Sequence, residues 1–83
     1  MMNSGDKWYV YIVECSDGSY YTGIAKNVDK RIEKHNSGKG AKYTKSRTPV
    51  KLLVSWEFEN RSEASKEEYR IKQLSRIEKE SLL

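Results

Sequence analysis

The chain has 83 residues and a formal net charge of +4, with 36% hydrophobic and 34% charged residues. That length supports one small core, so a single domain is expected, placed over residues 6–81. A lone cysteine, Cys15, excludes a disulfide framework, no run approaches the roughly 20 apolar residues of a membrane span, and the opening MMNSGDKW lacks the apolar stretch of a signal peptide, so a reducing cytoplasm is the expected setting.

In chain order, WYVYIVE (8–14) is β-branched and aromatic and reads as a strand. SDGS (16–19) is a turn, and residues 20–25 form a second strand, which makes a hairpin. Two registers fit. With Asp17-Gly18 as a two-residue turn, Tyr11 and Tyr21 point to opposite faces. With Ser16-Asp17-Gly18 as a three-residue loop and Gly18 in the left-handed region, Val13 lies opposite Tyr21 and Tyr11 opposite Gly23, and the two tyrosines become diagonal neighbours on one face. Asn27 is a good N-cap for a helix that runs to about Ser37, where Gly38 stops it. A basic loop follows. Pro49 precedes a third strand, LLVSWEF (52–58). Ser62 opens a second helix to about Leu74, and Ser75 with Glu78 forms a capping box for a short last helix. The order ββαβαα predicts an α+β domain: one small antiparallel sheet with helices packed on it.

Charge is distributed unevenly along this order. Residues 1–51 carry ten Lys/Arg against five Asp/Glu, whereas residues 52–83 carry six against seven. The excess is densest in KGAKYTKSRTPVK (39–51), which contains Lys39, Lys42, Lys45, Arg47 and Lys51 and no acid. Such a stretch is either a solvated loop or a phosphate-contacting surface. The Gly, Ser and Thr between the charges favour nucleic acid, because exposed amides and hydroxyls also contact phosphates.

Three polar residues sit where a plain helix would not need them. Val28, Ile32 and His35 share one helical stripe, with Arg31 at its edge. Taken alone, His35 serves the helix dipole and Arg31 is a surface cation. In the second helix, Ala64, Ile71 and Leu74 form the apolar stripe, and Glu68 falls on it. A carboxylate facing a core needs a metal, an arginine or an amide as partner. The alternative is that Ser65 caps a later-starting helix with Glu68 as its reciprocal residue.

Tyr9-Val10-Tyr11, then Tyr21-Thr22-Gly23, then Arg31 and His35 on the following helix and Glu68 on the next, resemble the GIY-YIG nuclease superfamily. The likeness runs from about Asp6 to Glu80. It is similar in particular to small stand-alone bacterial proteins of that superfamily, and HNSGKGAKYTKSRTPVKLL resembles the catalytic subunit of structure-selective junction nucleases. The resemblance implies a three-stranded antiparallel sheet flanked by helices, and it favours the three-residue hairpin, because both tyrosines must face one site. It implies catalytic roles for Tyr11, Tyr21, Arg31 and His35, and a metal-binding role for Glu68.

Those residue types suit phosphodiester hydrolysis. An arginine and a divalent metal, Mg²⁺ or Mn²⁺, stabilise the charge that builds on phosphoryl oxygens. A single hard carboxylate suits a cation that keeps several waters. Tyr11 would activate the attacking water, helped by cations that favour its phenolate, and Tyr21 would orient it. His35 would orient or deprotonate Tyr11. Lys26, Lys39, Lys42, Lys45 and Arg47 are the expected nucleic-acid contacts. The implied function is a divalent-metal-dependent endonuclease acting on DNA, with branched or damaged DNA in repair or recombination as substrate and a protein partner supplying specificity. The segment after Glu68 lacks the late asparagine of many superfamily members. It therefore leaves a second function open, a non-catalytic nucleic-acid-binding or adaptor module.

Overall fold

The computed structural model describes residues 7–83, so the expected absence of a signal peptide and the expected domain start at Asp6 lie outside the described residues. The elements are β1 (Trp8–Glu14), β2 (Tyr20–Ala25), α1 (Val28–Asn36), α2 (Lys42–Lys45), β3 (Lys51–Phe58), α3 (Arg61–Lys72) and α4 (Arg76–Glu80). The sheet is three-stranded and antiparallel, in the order β2-β1-β3. The α+β architecture expected from the sequence is the one observed.

The hairpin adopts the three-residue loop. Cys15 N–H donates to Ser19 C=O at 2.7 Å and Gly18 N–H to Cys15 C=O at 2.9 Å. Gly18 has φ +84°, a conformation that costs glycine nothing and other residues a steric clash. Val13 therefore pairs with Tyr21 and Tyr11 with Gly23. The two tyrosine rings lie 6.5 Å apart on one face.

Because side chains alternate along a strand, β1 builds a core on each side of the sheet. Val10 and Ile12 join Ala64 and Ile71 of α3, with Trp8, Ile24, Trp56 and Phe58 around them. Tyr11, Val13 and Cys15 join Ala25 and Val50, with Tyr21, Val28 and Ile32 packed against them. Thr22, directly across from Ile12, shares the α3 side, where its Oγ1 is buried without a hydrogen-bond partner among the described residues.

Local chemistry sets the ends of the helices. Asn27 caps α1 by accepting from Lys30 N–H, and Gly38, with φ +83°, follows its last turn. The capping box of α4 forms as expected, with Ser75 and Glu78 bonded reciprocally. The start of α3 differs from expectation. Asn60, not Ser62, is the cap and accepts from Glu63 N–H at 2.9 Å, which places Ser62 inside the first turn. Asparagine ranks with serine as a cap, and the earlier position wins because Arg61 can already be helical. Ser65 is then interior to α3, which removes it as a cap partner for Glu68.

The basic segment is not a plain loop. It contains α2, whose Thr44 is fully buried. Its base is closed by Asn36, whose Oδ1 accepts from Val50 N–H at 2.6 Å while its Nδ2 donates to Val50 C=O at 3.2 Å. This pair of bonds ties the end of α1 to the residue before β3.

Candidate active site

The site grows from the register of the hairpin. Tyr11 projects from the central strand over Gly23, where an added Cβ would lie 2.6 Å from the phenol oxygen. Only a glycine there lets the ring lie flat across β2. Its hydroxyl reaches α1 and shares a 2.8 Å hydrogen bond with Nε2 of His35. The other ring nitrogen, Nδ1, lies 2.7 Å from Oγ1 of Thr44 on α2. Thr44 in turn donates to the C=O of Ala41 at 3.0 Å. Gly40 passes so close to the ring that a Cβ would run into Nδ1. The buried stripe position of His35 is thus occupied by a hydrogen-bonded imidazole, not by a terminal residue neutralising the dipole.

Tyr21 stands at the edge of this line, its ring 5.5 Å from that of His35 and stacked at 5.9 Å on Tyr43. Arg31 is half-buried and donates from Nη1 to the C=O of Ile24 at 3.3 Å. Tyr21, Arg31, His35, Lys34, Lys39 and Gly40 line a cleft of about 230 Å³. An adjoining cleft shares Arg31 and Lys34 and includes Lys26 and Trp8. Tyr11, Tyr21, Arg31 and His35 are therefore brought together.

Glu68 stands at the margin. It is half-buried on α3 and pairs with Lys72 Nζ at 3.2 Å, and Lys72 also lies 5.6 Å from the ring of Tyr21. Its charge acts on the Tyr11 phenol, which places it within electrostatic reach of the pair. No group of three or more His, Cys, Asp or Glu gathers in metal-binding geometry among the described residues.

Burial sets the protonation of the site. Tyr11 is pushed up to about 12, because burial disfavours its phenolate; Tyr21 and Glu68 add to the rise, and Arg31 opposes it without winning. His35 is held below its ordinary value by burial, with Arg31 and Lys34 acting in the same direction. The resting pair is a neutral phenol beside a neutral imidazole.

The basic residues divide. Lys39 lines the cleft, and Lys42 and Lys45 are exposed on α2. Arg47 is not the free cation that the sequence suggests. It pairs with Asp17 of the hairpin turn at 3.0 Å, donates to Tyr43 C=O at 2.7 Å and lies 4.0 Å over the Tyr43 ring. It braces α2 against the hairpin. Sequence reasoning missed Thr44, Tyr43 and Lys72. The last was findable as a lysine four residues after Glu68, whereas a one-turn helix shows no periodicity that would single out Thr44.

The family model described as the GIY-YIG catalytic domain matches residues 7–81. The chain belongs to the GIY-YIG family. Among its relatives, a UPF0213 protein of Halobacterium salinarum is 57% identical over 74 residues, covering 89% of this chain and 96% of that one. A UPF0213 protein of Staphylococcus saprophyticus is 58% identical over 78 residues, covering 94% and 95%. The solution structure of a UPF0213 protein from Bacillus halodurans, 55% identical, superimposes with a TM-score of 0.59 over 92% of this chain and 81% of its own. A solution structure from E. faecalis, 39% identical, gives 0.61 over 99% and 88%. Membership in the GIY-YIG family points to nuclease-type chemistry on nucleic acid. Among the described residues, no helix is long and apolar enough to cross a membrane.

Proposed function

We propose that this GIY-YIG protein is a divalent-metal-dependent endonuclease that hydrolyses phosphodiester bonds in cytoplasmic DNA, with branched or damaged DNA of repair or recombination as its substrate. The observation that carries the reading is the buried 2.8 Å bond between Tyr11 and His35 beside a cleft lined by Arg31, Lys34 and Lys39. A phenol and a neutral base in contact, facing a cationic cleft, suit an attack on a phosphate diester.

In this mechanism the phosphate seats against Arg31, whose fixed charge stabilises the developing phosphoryl negative charge. Tyr11 passes its proton to His35. The phenolate takes a proton from a water oriented by Tyr21. As that water oxygen bonds to phosphorus, the bond to the leaving oxygen breaks. The leaving oxygen takes a proton from solvent, and His35 returns its proton to solvent. Proton transfer of this kind contributes about 10²–10⁴-fold to rate.

Glu68 is the residue that would hold Mg²⁺ or Mn²⁺, whose chemistry when bound is to offset charge on the phosphoryl oxygens. The donor set fits a cation of that kind. One half-buried carboxylate suits a hard ion that keeps waters and accepts phosphate oxygens, and does not suit an all-protein cage. Lys72 must release Glu68 for this to happen, and the substrate phosphates offer it an alternative anion. Lys26, Lys39, Lys42 and Lys45 contact flanking phosphates directly, and Arg47 acts by holding α2 in place.

The Glu68–Lys72 pair also favours the second reading, a nucleic-acid-binding module without catalysis, because a lysine already neutralises the carboxylate. A cleavage assay over branched, nicked and linear DNA with Mg²⁺ or Mn²⁺ separates the two. The expected result is metal-dependent cutting by the wild type and its loss in Glu68→Gln. The fold should be unchanged, since a partly exposed ion pair contributes about 1 kcal/mol or less. Binding without cutting across the panel, with either metal, would establish the adaptor reading.

A further inference from the structure

The line of hydrogen bonds does not stop at His35. Tyr11 and His35 are each only 1% exposed and Thr44 is 0% exposed, so their protons are matched inside the protein. A neutral imidazole has one donor and one acceptor nitrogen, and the partner of one fixes the role of the other.

Two assignments are open to the neutral ring. In the first, Tyr11 O–H donates to Nε2 at 2.8 Å, Nδ1–H donates to Thr44 Oγ1 at 2.7 Å, and Thr44 O–H donates to Ala41 C=O at 3.0 Å. Every proton in that line has an acceptor. In the second, Thr44 O–H donates to Nδ1 and Nε2–H donates to the Tyr11 oxygen. The Tyr11 hydroxyl proton then has no acceptor among the described residues, and Thr44 gives up its bond to Ala41. One contact favours the second assignment: Ala41 N–H points at Nδ1 from 3.4 Å. At that length it is a weak bond, and losing it costs less than orphaning a buried phenol proton. The doubly protonated ring is disfavoured by burial and by Arg31 and Lys34.

We infer that Thr44 is a positioning residue that fixes the tautomer of His35: its hydroxyl oxygen takes the Nδ1 proton, which leaves the Nε2 lone pair free to receive the proton of Tyr11. The proton moves from the Tyr11 oxygen to Nε2, and the resulting imidazolium keeps its Nδ1–H bond to Thr44. The buried face of α2 thus serves the general base, while Lys42 and Lys45 on the same turn are exposed. The effect on rate rests on the nuclease reading above; the tautomer does not.

The test uses the full chain labelled with ¹⁵N. His35 is the only histidine, so its ring signals in a long-range ¹H–¹⁵N correlation at neutral pH are unambiguous. The wild type is expected to show the Nδ1–H tautomer. Thr44→Val keeps the shape and removes the acceptor, and should shift the ring toward Nε2–H. Cleavage should fall on the order of a hundredfold, with binding of uncut DNA unchanged. Thr44→Ser should restore both tautomer and rate, which a loss of packing alone would not predict. If the valine variant fails to fold, Thr44→Ser against Thr44→Ala gives the same readout. An Nε2–H tautomer in the wild type, or a Thr44→Val protein with wild-type tautomer and rate, would overturn the inference. Wild-type protein that cuts nothing would count against the nuclease reading, and the tautomer shift alone would then decide the role of Thr44.

Discussion

On the α3 side of the central strand, Val10 and Ile12 sink into a cluster of Ala64 and Ile71 in which Thr22 is, among the described residues, the lone buried polar side chain. On the other side, one residue along, Tyr11 ends in a hydroxyl bonded to a buried histidine, itself bonded to a buried threonine. The two sides share a backbone and nearly the same degree of burial, yet they meet burial differently. The α3 side removes apolar area from water and holds the sheet together. The α1–α2 side accepts the cost of buried polar groups and meets it with a complete line of hydrogen bonds. Stability and chemistry should therefore be separable by mutation, one side at a time.

The largest separation is expected from Tyr11→Phe. It removes one oxygen, leaves the buried Nε2 of His35 without its partner at a cost of about 1–3 kcal/mol, and keeps the bond of His35 to Thr44. Single-turnover cleavage should fall by about a hundredfold or more, while the melting temperature falls by only about 4–8 °C for each kcal/mol lost. A large loss of stability would break the comparison.

Ile71→Ala is the reciprocal change. Ile71 is 0% exposed, and truncation should cost about 2–5 kcal/mol in denaturant unfolding. The cleavage rate per folded molecule should hold, because Ile71 belongs to the α3-side cluster and not to the Tyr11 cluster. Thr22→Val acts on the same side in the opposite sense. It replaces a buried hydroxyl that has no partner with a methyl of the same shape, and should raise stability by about 1 kcal/mol. A destabilised variant would mean that the hydroxyl has a hidden partner.

The smallest effect is on pH dependence. The folded protein holds His35 below the ordinary value of 6.5, so in the window below about 6.5 the unfolded chain binds more protons. Stability is then full above that value and falls as pH drops through it toward the lowered folded value. Thermal unfolding followed between about pH 7.5 and 5 should show this loss, and His35→Gln should flatten it in that window. An identical slope in both proteins would remove His35 as the source.

Much of this division was legible in the sequence. WYVYIVE reads as a strand from its β-branched and aromatic residues, and a strand there necessarily puts Val10 and Ile12 on the face opposite Tyr11 and Val13. The capping box of α4 could be read because it is local chemistry, and Gly38 marked the end of α1 for the same reason. The hairpin register could not be read from pattern, since a loop of either length satisfied the alternation. The conformation of Gly18 and its hydrogen bond to Cys15 decide it. The start of α3 was misplaced by two residues because Asn60 and Ser62 are both good caps. Arg47 looked free because its acid, Asp17, lies 30 positions away along the chain. The depth of Tyr11 was not legible: the sequence shows cations that favour its phenolate, as Arg31 does, but not the burial that outweighs them. Thr44 was invisible: its role comes from where a single helical turn happens to land.

The clasp between Asn36 and Val50 has a consequence in time. The amide proton of Val50 is held by a side chain, Oδ1 of Asn36, and not by a neighbouring strand. A strand partner would release such a proton only when the sheet opens, often near the free energy of global unfolding. A side-chain partner releases it whenever the end of α1 and the basic segment part company. Hydrogen–deuterium exchange at Val50, set beside exchange at Ile12 in the middle of the sheet, therefore works as a clock for that one local opening. It counts how often the end of α1 parts from the residue before β3 in a molecule that is otherwise folded.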